Sequence, residues 1–279
     1  MSRPLERCFK LLELLSAHPE GRSLSSLAID IDMPASAAHR LLTELCEFGY
    51  VRQEREQGEY TMTIKLAALG LNFLSASGIV DVAQPALDRL AEASGELVRL
   101  GVIDGDDLIF VAKAQGARRG LRYDPDMGLS VRLSCSAAGH AWLSTLTEEE
   151  ALSLVLKQGF GKPEEYGPRA PTTVSAFRTQ LRLTRQRGFA MITDMFAPSM
   201  SSMSVAVRPR GGAAIGVVTI AGPLVRLTEE RMLSLGPDLH EAADDIAAAS
   251  SASALFKRLP AGSARAADNA SSGGSRKHA

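Results

Sequence analysis

Apolar residues recur at helical spacing through the first fifty positions and at strand spacing further on. Leu5, Cys8, Phe9, Leu12 and Leu15 fall on one face of a helix over residues 5–16, which His18-Pro19-Glu20-Gly21 ends. Ser23 can cap a second helix whose Leu24, Leu27 and Ala28 face inward. Asp32 stands where a turn needs a residue tolerant of the left-handed region, and Pro34 stops the second helix from continuing. A third helix runs from Ala35 to Phe48, with Ala38, Leu41, Leu42, Leu45 and Phe48 as its buried stripe and Gly49 as its cap. Tyr50-Val51 and Tyr60-Thr61-Met62 read as short strands around a polar loop containing Gly58. The pattern predicts a helix-turn-helix running into a winged hairpin; a plain helical hairpin is the alternative.

Beyond the wing, Ile64–Leu74 reads as a helix with a narrow stripe of Leu66, Leu69 and Phe73. That stripe suits either a dimer seam or a face packed on the next domain. Gly78 breaks the pattern, and Asp81 caps a helix to about Ala93. From Glu96 the period shortens: residues 97–103 and 108–112 form strands around Asp104-Gly105-Asp106-Asp107, a hairpin turn. A further strand is expected near Gly120–Tyr123. Cys135–Thr145 looks helical, and Thr147 to Glu150 is a capping box for the next helix. Ser175–Arg187 is a helix closed by Gly188, strands cover about 203–208 and 214–220, and Thr228–Ala248 is one long helix. These proportions predict an α+β domain with a mostly antiparallel sheet. The stretch from Pro260 is small, polar and Gly/Ser-rich, and is expected to be disordered.

The 279 residues leave room for two domains, and the net charge of −1 with 45% hydrophobic residues is ordinary for a soluble protein. No apolar run is long enough to span a membrane and the N-terminus lacks a signal-peptide core, so a cytoplasmic location is expected. Three cysteines, Cys8, Cys46 and Cys135, make neither a disulfide framework nor a zinc site. No metal-ligand cluster or phosphate loop is present, so no metal, cofactor or catalytic residue is assigned. Cys135 lacks a recognisable His/Asp partner set, although an enzyme carrying its own winged helix stays open. Residues 1–62 hold seven Lys/Arg against ten carboxylates. Few cations are therefore available for a phosphate backbone, and binding through several subunits at once is expected.

The order of elements and several motifs resemble the IclR family of bacterial transcription regulators over about residues 5–255. The motifs are Pro34-Ala35-Ser36-Ala37-Ala38-His39-Arg40-Leu41-Leu42, the linker Lys65-Leu66-Ala67-Ala68-Leu69-Gly70, and Arg132-Leu133-Ser134-Cys135-Ser136-Ala137-Ala138-Gly139-His140-Ala141. The segment from Gly188-Phe189-Ala190 to Val207-Arg208 matches a further family motif. The resemblance implies a winged helix-turn-helix over residues 1–62, a linker helix over 63–79, a GAF-like effector-binding domain over 80–257 and a tail over 258–279. It also implies a homodimer or tetramer on palindromic double-stranded operator DNA, with a small organic acid as effector. Departures from the family pattern include Ser134, His140, Met195, Ser199, Ala206 and Ala221. Ser202 resembles the branch that senses aromatic acids.

Ser36, Ala37, His39 and Arg40 are then the candidates for the major groove, with Arg52 and Arg55 on the wing for backbone or minor groove. The candidate effector site combines Cys135, Ser136 and Ala137 at a helix start with Met195, Ser202 and Thr219, and Arg122 for a carboxylate. Ser201 could add a hydroxyl. Met191, Met195, Met200 and Met203 suit either a soft wall for a bulky ligand or plain core filling. Ser136 and Ser202 suit either ligand contact or local capping, and Arg122 suits either an ion pair or a surface role. The other class of function is a ligand-binding protein whose winged helix mediates protein–protein contacts.

Overall fold

The computed structural model describes residues 4–54, 58–125, 127–128, 130–253 and 255–256. Arg55 and the expected disordered tail lie outside the described residues. The chain divides after Phe73 into two compact units.

The first unit holds α1 (Pro4–Ser16), α2 (Leu24–Asp30), α3 (Ala35–Glu47) and an antiparallel hairpin of β1 (Val51–Gln53) and β2 (Tyr60–Met62). Local chemistry sets each boundary. The Ser23 hydroxyl accepts the Ser26 N–H at 3.3 Å, capping α2. Asp32 takes φ +50° between α2 and α3, and Gly49 takes φ +72° after α3, where the Tyr50 N–H reaches back to the Leu45 carbonyl at 2.9 Å. Leu11, Leu15, Leu27, Ala38, Leu42, Leu45, Val51 and Tyr60 bury their side chains together. Arg22 adds an antiparallel bridge to Tyr60, tying the segment before α2 to the wing. Three expected core residues stay outside: Leu5, Phe9 and Phe48 are exposed, because α1 meets the core through Cys8, Leu11, Leu12, Leu14 and Leu15, and Phe48 follows the last turn of α3.

Helix α4 (Lys65–Ser77) spans the division between the units, and its Leu66, Leu69 and Phe73 are exposed. The second unit is built on a five-stranded antiparallel sheet in the order β4-β3-β7-β6-β5. The strands are β3 (Leu97–Asp104), β4 (Asp107–Gln115), β5 (Ala190–Thr193), β6 (Met200–Val207) and β7 (Gly216–Pro223). Alternation along them makes two faces. Val98, Leu100, Met203, Val205, Val218 and Ile220 pack against α5 (Ile79–Ser94) and α10 (Gly236–Ala249). Phe110, Ile192 and Val217 face the other way, toward α6 (Ala137–Leu143), α7 (Glu148–Gln158) and α8 (Val174–Arg187). The capping box of α7 is present in both halves, with the Glu150 carboxylate accepting from the Thr147 N–H at 2.9 Å.

The structure corrects several expectations. Gly78, at φ +66°, rather than Asp81, precedes α5; Asp81 sits in its first turn. Residues 120–123 form no strand, since β3 and β4 pair with each other out to Gln115 and leave the following segment without a ladder. Helix α6 begins at Ala137, two residues later than Cys135, because Ser136 serves as its cap. The long C-terminal helix is two, α9 (Glu229–Ser234) and α10, with Pro237 in the first turn of α10 where a missing N–H costs least. Strand β5 was not anticipated.

Candidate functional site

Helix α3 buries Ala38, Leu41, Leu42 and Leu45 and turns Ser36, His39, Arg40 and Thr43 outward, with Ala37 half-buried. Arg40 makes no ion pair among the described residues and is exposed, so its guanidinium is available to an external partner. Arg52, also exposed, holds Glu54 at 2.9 Å. Arg22, by contrast, is consumed internally: it pairs with Asp30 at 2.6 Å and hydrogen-bonds His18 and Ser26. Among the described residues the helix-turn-helix therefore presents a free arginine on α3 and a partly engaged arginine on the wing.

The second unit contains a cavity of about 390 Å³ on the α6 side of the sheet. Its floor comes from Arg99 on β3, Phe110 on β4, Ile192 on β5, and Thr219 and Ala221 on β7. Its walls come from the 123–125 segment, the start of α6 at Ser136–Ala138, and the run from Phe196 to Ser202. The register explains the floor: Arg99 sits directly across from Thr219, and Ala221 directly across from Ser202.

Of the residues selected from sequence, Ser136, Ala137, Ser202 and Thr219 line this cavity, as does Ser201. Cys135, Met195 and Arg122 do not. Cys135 is fully buried, and burial pushes its thiol pKa up to about 12. Met195 packs in the core between the sheet and α6–α8, and Arg122 is exposed. Of the methionines, Met200 lines the cavity, while Met203 belongs to the core under α5 and α10 and Met191 packs against that core. The Ser136 hydroxyl is spent locally, donating to the Arg132 carbonyl at 2.6 Å and accepting the Gly139 N–H at 3.0 Å.

Arg99 was missed. It is 8% exposed and its guanidinium carbon lies 3.7 Å from the centre of the Phe110 ring. Its Nε is buried with no hydrogen-bond partner among the described residues. Burial pulls its pKa below the ordinary arginine value, yet a guanidinium remains charged at neutral pH. The signal was a lone cation at an alternate position of the otherwise apolar run Leu97-Val98-Arg99-Leu100. Asp124, the other charged lining residue, is held by Lys113 at 2.6 Å, which keeps its carboxyl below the usual range. His140 is buried too, with Nε2 2.8 Å from the Ser134 carbonyl.

Residues 71–248 match the family described as bacterial transcriptional regulator IclR C-terminal, and residues 4–55 match the IclR helix-turn-helix domain. The chain belongs to the IclR family. It is 29% identical over 244 residues to the acetate operon repressor of Salmonella typhimurium, covering 87% of this chain and 88% of that protein. It is 25% identical over 248 residues to the transcriptional repressor AllR of Escherichia coli K12, covering 89% and 90%. Among solved structures, an IclR regulator from Alicyclobacillus acidocaldarius matches with a TM-score of 0.75 at 20% identity, over 89% of this chain and 99% of that one. An IclR homolog from Microbacterium hydrocarbonoxydans, solved with 4-hydroxybenzoate, matches with a TM-score of 0.72 at 21% identity, over 90% and 100%. IclR membership accounts for the order of a helix-turn-helix and an α+β domain in one chain, and the chain is a transcriptional regulator of that family.

Proposed function

We propose that this IclR-family chain binds operator DNA through α3 and the wing, and that a small organic acid in the cavity of the second unit alters that binding. The observation that carries the reading is a mostly apolar cavity in one compact unit and an outward polar helix face with a free Arg40 in the other. The 4-hydroxybenzoate held by the Microbacterium homolog supports an aromatic acid as the ligand class. Residues 1–62 act as the DNA-binding domain, 63–79 as the linker helix and 80–257 as the effector domain. In this reading Ser36, Ala37, His39 and Arg40 meet the major groove and Arg52 and Arg55 the flanking backbone, while Ser136, Ala137, Ser202 and Thr219 surround the effector. Few cationic contacts per subunit favour a dimer or tetramer on the operator.

The role is binding, not catalysis. Cys135 is held as a neutral thiol, its pKa about 12, and burial keeps His140 neutral, its pKa lowered to about 4. Neither is poised for nucleophilic chemistry at neutral pH. Among the described residues no single helix is long and apolar enough to cross a membrane, and a cytoplasmic location fits a DNA-binding role.

The test is retention of labelled DNA from upstream of the chain's own gene, across a salt series and against random competitor. Specific, salt-dependent retention that Arg40→Ala removes supports the reading. Genome-wide selection that returns no preferred sequence contradicts it, and favours a winged helix that docks protein.

A further inference from the structure

We infer that Arg99 is the anion anchor of the cavity, and that the ligand is a monocarboxylate carried on an apolar body of about one aromatic ring. The inference rests on the reading of the cavity as the effector site and adds the chemistry that selects the effector. A guanidinium carries five N–H donors, and buried donors in folded proteins are almost always satisfied. The Arg99 guanidinium makes no hydrogen bond to any described residue, although the residue is more than nine-tenths buried. The protein thus leaves a desolvated guanidinium with no hydrogen-bond acceptor in a cavity, near Tyr123 and Asp124 only through space, an arrangement that a bound anion completes.

The neighbours decide which anion. Asp124 is the other charged lining residue, and Lys113 already engages it. Ser204 gives its one proton to the Val218 carbonyl at 2.8 Å, so Thr219 donates to Ser204 at 2.9 Å and has no proton left for a ligand. The Ser136 proton goes to the Arg132 carbonyl. Arg99 is therefore the cationic donor to an anionic head, with the Tyr123 and Ser202 hydroxyls as neutral donors in the same lining. Its Cζ sits over the Phe110 ring, a contact that holds in place the fork that a carboxylate takes in bidentate fashion. A single guanidinium, with Asp124 as the other charged lining residue, suits one negative charge rather than a phosphate dianion. Most of the remaining surface is apolar, from Phe110, Ile192, Phe196, Met200 and Ala221, with Tyr123, Ser130, Ser201 and Ser202 as its further polar side chains. A volume of about 390 Å³ lies near the lower end of ligand sites, which run from about 300 to 1,000 Å³.

The experiment uses the purified full chain, with thermal unfolding and Trp142 fluorescence as readouts. The probes are benzoate, phenylacetate and 3-phenylpropanoate, each beside its uncharged carboxamide. At least one carboxylate is expected to raise the unfolding temperature and to bind about 30-fold or more tightly than its amide. Arg99→Met abolishes that preference while the ligand-free variant unfolds at a temperature no lower than the wild type. Arg99→Lys keeps the charge without the fork and retains part of the preference. Equal binding of acid and amide by the wild type overturns the assignment, and this comparison needs no variant. So does the absence of any carboxylate effect on the wild type, or unchanged benzoate affinity in Arg99→Met. Failure of the regulatory reading looks different: carboxylates bind through Arg99, yet operator affinity does not move.

Discussion

Lowering the pH should destabilise the second unit through His140, and the size of the effect follows from its surroundings. The ring is 1% exposed within α6, hydrogen-bonded to the Ser134 carbonyl and 5.9 Å from the Phe177 ring. Burial lowers its pKa from 6.5 to about 4. As pH falls, the unfolded chain takes up this proton first, near its ordinary value. The group therefore costs no stability above neutral pH, costs progressively more below about 6.5, and reaches its limit once the native state protonates near 4. At about 1.4 kcal/mol per pH unit the full effect is roughly 3 kcal/mol, of which about 2.5 falls between pH 7.5 and pH 4.5. In a unit of this size that is on the order of 5–10 °C of unfolding temperature. Trp142, the one tryptophan in the chain, lies two residues along the same helix and is buried, so urea titrations followed by its fluorescence report this unit. Carboxylates also titrate in the window, so the comparison is with His140→Gln, which retains a donor for Ser134. The variant should lose about 2.5 kcal/mol less than the wild type between the two pH values. Parallel losses in the two proteins would refute the reasoning.

Three further outcomes follow from single contacts. Arg40→Ala should weaken operator binding about 10- to 100-fold by fluorescence anisotropy, while the Trp142 unfolding curve stays where it was. Ser23→Ala removes the hydroxyl that holds the Ser26 N–H, and should cost α2 about 1 kcal/mol, read as faster amide exchange over residues 24–30. In Gly139→Ala the new Cβ would lie 2.4 Å from the Leu133 carbonyl oxygen and 2.5 Å from the Leu133 Cα, backbone atoms that cannot give way cheaply. Its urea midpoint by Trp142 fluorescence should fall by the equivalent of about 1–3 kcal/mol or more, with weakened ligand binding because α6 walls the cavity.

The helix-turn-helix was legible because its signals are local: the Ser23 cap, the left-handed Asp32, Pro34, the α3 stripe and Gly49 each act within a few residues. The second unit depends on pairings that no local signal carries. Strand β3 lies between β4, its neighbour in sequence, and β7, more than a hundred residues away. Four-residue β5 is too short to show a period, and its existence rests on pairing with β6. The C-terminal helix kept its apolar period through Leu235 and Leu239, which hid the break that Pro237 marks. Site residues divided in the same way. Ser202 and Thr219 could be placed by the family resemblance, but Arg122 was chosen for its charge in a polar segment, where exposure makes a cation inexpensive. Arg99 was overlooked inside an apolar strand, although that is where an arginine most needs an explanation.

The central claim is that occupancy of the cavity in one unit changes DNA affinity in the other. It is tested most directly by measuring operator Kd by fluorescence anisotropy at fixed salt, with and without the tightest-binding carboxylate, while Trp142 fluorescence certifies that the cavity is saturated. The account predicts a shift in Kd of about 5- to 150-fold, abolished in Arg99→Met. An unchanged Kd with the cavity full would contradict it.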